Sequence, residues 1–165
     1  MSQMDFLFDH HIVAGVVPVA DAFATSATTD YVNLANYGRV TFVIFTGNAT
    51  GGTANGTVTV LSSASAAGTS TTALAFKYRA CASSTSVDTW GALTDATSSG
   101  FSMTAGDNYI YTVEVLADDV EASAAGKKFV ACKVTESSND PIDACILVIL
   151  SEPRYPQAIP VTAIA

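Results

Sequence analysis

Apolar residues in this chain recur with a period of two, and helical periodicity is almost absent. From Arg39 the sequence reads Arg-Val-Thr-Phe-Val-Ile-Phe-Thr-Gly, a β-branched and aromatic run closed by glycine. Thr57–Leu61 alternates Thr with Val, and Leu74, Phe76 and Tyr78 alternate with Ala73, Ala75, Lys77 and Arg79. Tyr109–Leu116, Phe129–Thr135 and Ala144–Leu150 add three more such runs, each bounded by Gly, Asn, Asp or Ser clusters. Side chains that alternate across a pleat define strands, and turn residues at short intervals define the reversals between them. Shorter strands are expected at 12–19, 31–34, 87–93 and 100–103. The single helical candidate is Asp118–Ala122, one turn with acidic residues at its start.

Eight or so strands at this spacing predict an all-β protein, an antiparallel β-sandwich of jelly-roll-like form. Ala144–Leu150 is apolar at every position, so it is expected to be central and covered on both faces. The Gly-rich stretch Gly47–Gly52 lacks the lysine and following helix of a phosphate loop and reads as a hairpin loop.

The two ends differ from the middle. Residues 1–11 carry Phe6, Leu7 and Phe8 among Asp5, Asp9 and two histidines, and the chain closes with three prolines, Pro153, Pro156 and Pro160. Proline blocks both a ladder and a helix. The organisation expected is therefore an N-terminal arm over 1–11, a sandwich over 12–152 and a Pro-rich C-terminal arm over 153–165. Apolar residues on such arms either pack on a neighbouring subunit or fold back over their own sandwich. The interface residues this points to are Phe6, Phe8, Pro153, Arg154, Tyr155 and Pro156.

Reactive chemistry is sparse. Of 165 residues, 13% are charged, and the net charge of -8 rests on only seven Lys and Arg. A phosphate backbone needs a basic surface, so direct nucleic-acid binding is not expected. No uninterrupted apolar run approaches the ~18 residues of a membrane helix. Val13–Ala24 has the look of a signal h-region, but Asp5 and Asp9 precede it where a signal needs positive charge. Synthesis in the cytoplasm is the expectation.

Cys81, Cys132 and Cys145 form no metal-binding spacing. They read as reduced core residues, with a Cys132–Cys145 disulfide open only to neighbouring strands. His10 and His11 are adjacent, so a strand sends them to opposite faces, a poor start for chelation. Asp118, Asp119 and Glu121 lack the loop pattern of a calcium site. No Gly-x-Ser-x-Gly elbow accompanies the many serines. Trp90 reads as a packing anchor. No cofactor, metal or enzymatic activity is expected.

The segments Asn36–Ile44, Phe76–Arg79, Asp88–Gly91 and Ile149–Pro156 resemble a group of small proteins of tailed bacteriophages encoded among the head genes, near the major capsid protein. The resemblance runs from about residue 12 to residue 157, and its most specific part is Ser151-Glu152-Pro153-Arg154-Tyr155-Pro156. It implies a virion structural protein, a head decoration (cement) protein on the capsid exterior whose partner is the major capsid protein. It also implies a homo-oligomer, a trimer ahead of a dimer. Two rival readings have different requirements. Another virion position, in the tail tube, connector or fibre base, differs only in symmetry. A carbohydrate- or host-binding sandwich needs Trp90, Tyr109 and Tyr111 exposed together.

Overall fold

The computed structural model describes residues 5–49, 56–81, 88–137, 141–155, 160 and 162–164. A short helix α1 (Asp5–Asp9) leads into β1 (His10–Val19), β2 (Ser26–Thr28), β3 (Val32–Asn33), β4 (Tyr37–Ala49), β5 (Gly56–Ser63), β6 (Thr72–Leu74) and β7 (Phe76–Ala80). Then come β8 (Thr94–Ala96), β9 (Phe101–Ser102), β10 (Ile110–Leu116), α2 (Ala117–Ser123), β11 (Phe129–Glu136) and β12 (Ile142–Pro153).

Two antiparallel sheets face each other. One has the order β1-β12-β4-β10-β7-β8, the other β2-β11-β5-β6, with β3 added on β11 and β9 on β5. The pairings nest: β1 with β12, β2 with β11, β4 with β10 and β5 with β6. Such nesting wrapped over two sheets is a jelly roll, and β7 and β8 extend its larger sheet by two strands.

The nesting revises three local expectations. β4 and β5 lie in different sheets, so the Gly-rich segment between them connects sheets rather than closing a hairpin; Gly and Asn mark a reversal without saying that the strands on either side pair. Residues 50–52 of it lie outside the described residues. The run 73–79 crosses from β6 in one sheet to β7 in the other at Ala75, a corner of the kind that joins packed sheets. Of the strand expected over 87–93, residue 87 lies outside the described residues, 88–93 form no ladder, and Trp90 makes a single bridge to Cys81. The helical turn expected at Asp118 is α2.

The inward rows follow from the register. Val40, Phe42 and Ile44 of β4 stand opposite Val115, Val113 and Tyr111 of β10 and opposite Leu150, Val148 and Ile146 of β12. Val58, Val60, Val130, Cys132 and Val134 face them from the other sheet, and all of these are buried. Phe101 ties the sheets at one side, stacking on Tyr78 at 3.8 Å and meeting Phe76 and Tyr111 edgewise or tilted. The buried hydroxyls of Thr29 and Ser63 are paired, whereas Arg39 Nε is buried without a partner among the described residues. Thr29 Oγ1 accepts from the Cys132 amide at 3.0 Å, and Ser63 Oγ donates to the Thr69 carbonyl at 2.8 Å, as a dry interior requires.

Candidate interaction surface

The larger sheet has a second face, turned to solvent. In a two-layer sandwich each strand has one covered side, so the unbroken apolar run of β12 cannot be buried on both. Ala144, Ile146, Val148 and Leu150 point inward, while Leu147 is 42% exposed and Cys145 and Ile149 are half-buried. The expectation of a strand covered on both faces is therefore corrected: β12 is central in its sheet, and its second apolar face is open.

Register extends that open face across the sheet. One row runs Ile12, Ile149, Thr41, Glu114, Lys77, Asp95, and the next Ala14, Leu147, Val43, Thr112, Arg79. A third places Cys145, Phe45 and Ile110 side by side. Ile12 is 50% and Phe45 46% exposed. The result is an apolar half over β1, β12 and β4 beside a half of alternating charge. There Arg39 bridges Glu114 at 3.1 Å and Glu152 at 2.7 Å, and Lys77 bridges Asp95 at 2.5 Å. Two outer rows of the smaller sheet differ, carrying Thr57, Thr135 and Ser26, and Thr59, Lys133 and Thr28, while a third aligns Leu61 with Ala131 and Ala73. Sequence reasoning missed this surface, although the signal was the very run Ala144–Leu150 that it read as doubly covered.

The two terminal segments converge. His10 stands opposite Ser151 and Tyr37 opposite Pro153, so α1 and the chain after β12 leave the same end of the sheet, with α1 packed on β1 and β12. Phe6 and Phe8 are exposed, and Tyr155 is 70% exposed. The Arg154 amide donates to the Asn36 carbonyl at 2.8 Å. Pro153 is the last residue of β12 and His10 and His11 the first of β1, so the sheet takes in more at both ends than 12–152. Pro156 lies outside the described residues. Further on, the Ala163 carbonyl accepts from the Asn33 amide at 2.8 Å and Ala163 is buried. At that point the chain folds back over its own sandwich.

The other candidate groups are dispersed. His10 stacks on Phe6 at 4.3 Å, and its Nδ1 lies 3.1 Å from the Phe6 carbonyl, while His11 Nδ1 lies 3.3 Å from the Tyr37 hydroxyl. Among the described residues, no three His, Cys, Asp or Glu side chains gather as a metal site, and no helix is long and apolar enough to cross a membrane. Asp118 and Asp119 sit in the first turn of α2 and Glu121 accepts from the Gly126 amide. The aromatic platform required for sugar stacking does not form: Trp90 is exposed, but Tyr111 is 2% exposed and its hydroxyl accepts from the Thr104 amide.

All three cysteines are free. Cys132 lies in the core on β11 and Cys145 on the outer face of the opposite sheet, so they are not neighbours. Burial pushes the Cys132 thiol from 9.0 up to about 12. Folding therefore holds it neutral at pH values where the unfolded chain ionises. Its contribution is intact below pH 9 and is lost between about pH 9 and 12, at about 1.4 kcal/mol per pH unit. Burial likewise raises Tyr111, Tyr37 and Tyr31, which adds to the loss at higher pH. Urea unfolding of Cys132→Ala between pH 8 and 11 is expected to show a shallower alkaline decline than the parent chain. Parallel declines would place the alkaline sensitivity elsewhere.

No protein-family model matches the chain, and no curated protein matches it. Among solved structures, the chain is similar to the crystal structure of SPBc2 prophage-derived protein YomS, at 14% identity and a TM-score of 0.47, over 87% of this chain and 94% of that one.

Proposed function

We propose that this chain is a structural component of a tailed-phage virion. Within that class it is a head decoration (cement) protein, bound to the outside of the shell across junctions between major capsid protein subunits. The observation that carries the reading is the convergence of both terminal segments, with Phe6, Phe8 and Tyr155 exposed, at one end of a jelly roll. The resemblance of its sequence to proteins encoded among phage head genes supports it. A rigid sandwich with apolar terminal segments suits attachment by many weak, repeated contacts, which add through avidity around a shell and need no catalytic group or cofactor. In this reading the protein is made in the host cytoplasm, self-associates, and touches neither the packaged DNA nor a membrane. Other virion positions share the same chemistry and are separated by where the protein is found.

The test is reconstitution. Purified protein added to expanded heads lacking it is expected to bind to saturation at symmetry-related sites of the shell and to raise the temperature at which the heads release DNA. Replacing Phe6, Phe8 and Tyr155 together by Ala is expected to lower occupancy at least about 10-fold, as removing apolar anchors does, with an unchanged melting temperature. Heads that stay bare, with the protein found on tails, would transfer it to the tail or connector.

A further inference from the structure

We infer that the outer face of the six-stranded sheet is a self-association surface on which a second copy of this chain packs face to face about a two-fold axis. Three observations carry the inference, and it holds whether or not the pair then sits on a head.

The first is composition by face. Ile12, Val43, Phe45, Cys145, Leu147 and Ile149 form one apolar patch on neighbouring strands. The smaller sheet instead has polar outer rows at Thr57, Thr135, Ser26 and at Thr59, Lys133, Thr28, and Ala131, in its row with Leu61, is already buried within the chain. Apolar patches of this extent on a folded domain are places of contact.

The second is charge. The chain carries -8, so two copies repel wherever their acidic surfaces meet. Around the outer face, Arg39, Lys77 and Arg79 stand against Glu114, Glu152, Asp95, Asp143 and Asp119, the last beside Lys77. That leaves four cations against ten carboxylates for the remainder of the sequence. The face thus holds nearly half of the cations and a third of the carboxylates of an acidic protein, and its paired charges alternate in sign. A two-fold lays such a half against its own copy with unlike charges in reach, the self-complementarity that an isologous contact requires.

The third is size. Five strands spaced by about 4.8 Å, over seven residues of about 3.4 Å each, span about 24 by 24 Å. That footprint of about 580 Å² is measured in projection. The relief of the side chains carries its accessible area toward the roughly 800 Å² per partner of a stable interface. Because the same face serves both copies, the contact closes at two and not at three. It leaves the end bearing α1 and Tyr155 free for another partner.

Sedimentation equilibrium tests the inference on the full chain. The parent protein is expected at twice the chain mass. Leu147→Lys, which alters a side chain already exposed, is expected to weaken association by about 100-fold or more, since the two-fold buries two unpaired charges. Its circular dichroism and melting temperature are expected to stay those of the isolated fold. Ile12→Lys is expected to act in the same way, and Thr57→Lys on the opposite sheet to leave the dimer intact. Alkylation of Cys145 is expected to be slower in the parent dimer than in the Leu147→Lys monomer. A monomeric or trimeric parent protein, or a Leu147→Lys variant that remains dimeric, would overturn the assignment. So would a monomeric parent whose binding to heads is lost on Leu147→Lys, which would give the face to a capsid partner instead.

Discussion

Phe42→Ala is expected to cost about 3–5 kcal/mol of folding stability, the larger part of what a domain of this size has to lose. Phe42 has no exposed surface and lies on β4, between Val113 of β10 and Val148 of β12. It therefore fills the space beneath three neighbouring strands of the larger sheet. Those strands are fixed by their ladders and cannot close over the void, so the transfer loss and the cavity penalty both apply. At about 2–4 °C per kcal/mol for a chain of this length, the melting temperature should fall by about 10 °C. Calorimetry of the purified variant checks this. A drop of only a degree or two would mean that the sheets can shift together and that the core is less tightly registered than its pairing implies. Thr41→Ala, next in sequence but on the outer face, is expected to change stability by no more than about 0.5 kcal/mol.

The second large effect is expected at Gly100. Its φ is +79°, and a Cβ added there would lie 2.0 Å from the Val58 carbonyl oxygen and 2.8 Å from Thr59 Cγ2. The nearest obstacle is backbone of a central strand, which has no rotamer by which to yield. The same residue donates its amide to Thr97 at 2.9 Å, closing the turn that delivers Phe101 to Tyr78. Gly100→Ala thus combines left-handed strain of about 1–2 kcal/mol with displacement of β9 and of its aromatic stack. A total near 4 kcal/mol is expected, with loss of the near-ultraviolet signal of that cluster. Equilibrium denaturation against Gly126→Ala isolates the steric part, because Gly126 has a similar φ of +78° and nothing within 4 Å of its added Cβ. Equal losses in the two variants would reduce the effect to backbone strain alone.

The long strands were legible because each repeats one local message. Val40–Thr46, Tyr109–Leu116, Phe129–Thr135 and Ala144–Leu150 are dense in β-branched and aromatic residues, and β4, β10, β11 and β12 lie over them. β2 and β8 were not legible. Ser26–Thr28 and Thr94–Ala96 carry no local signal beyond small polar residues, and they are strands because β11 and β7 offer them partners. The crossing at Ala75 was hidden for a related reason, since alternation continues through it while the sheet changes. The open face was legible in composition and misread in geometry. A run apolar on both sides announces two contacts, and the sequence alone does not say whether the second is made within the chain or by another molecule. Phe6, Phe8 and Tyr155, singled out in the sequence as interface residues, are exposed. Their meeting at one end follows only from the pairing of β1 with β12.

That pairing also sets the order in which the molecule can assemble. β12 lies between β1 and β4, which have no ladder with each other, so the first strand of the larger sheet has no neighbour until the twelfth arrives. As the chain leaves the ribosome, β1 must wait, unpaired, through the synthesis of nearly everything between. Closing so long a loop has an entropic cost and places this fold among slow, high-contact-order topologies. Until β12 is made, Ile12, Val13 and Val16 have no partner strand in this sheet, and apolar surface of that kind is what makes incompletely folded chains prone to aggregate. Insertion of β12 is the step that converts a set of separate hairpins and loose strands into one cooperative body.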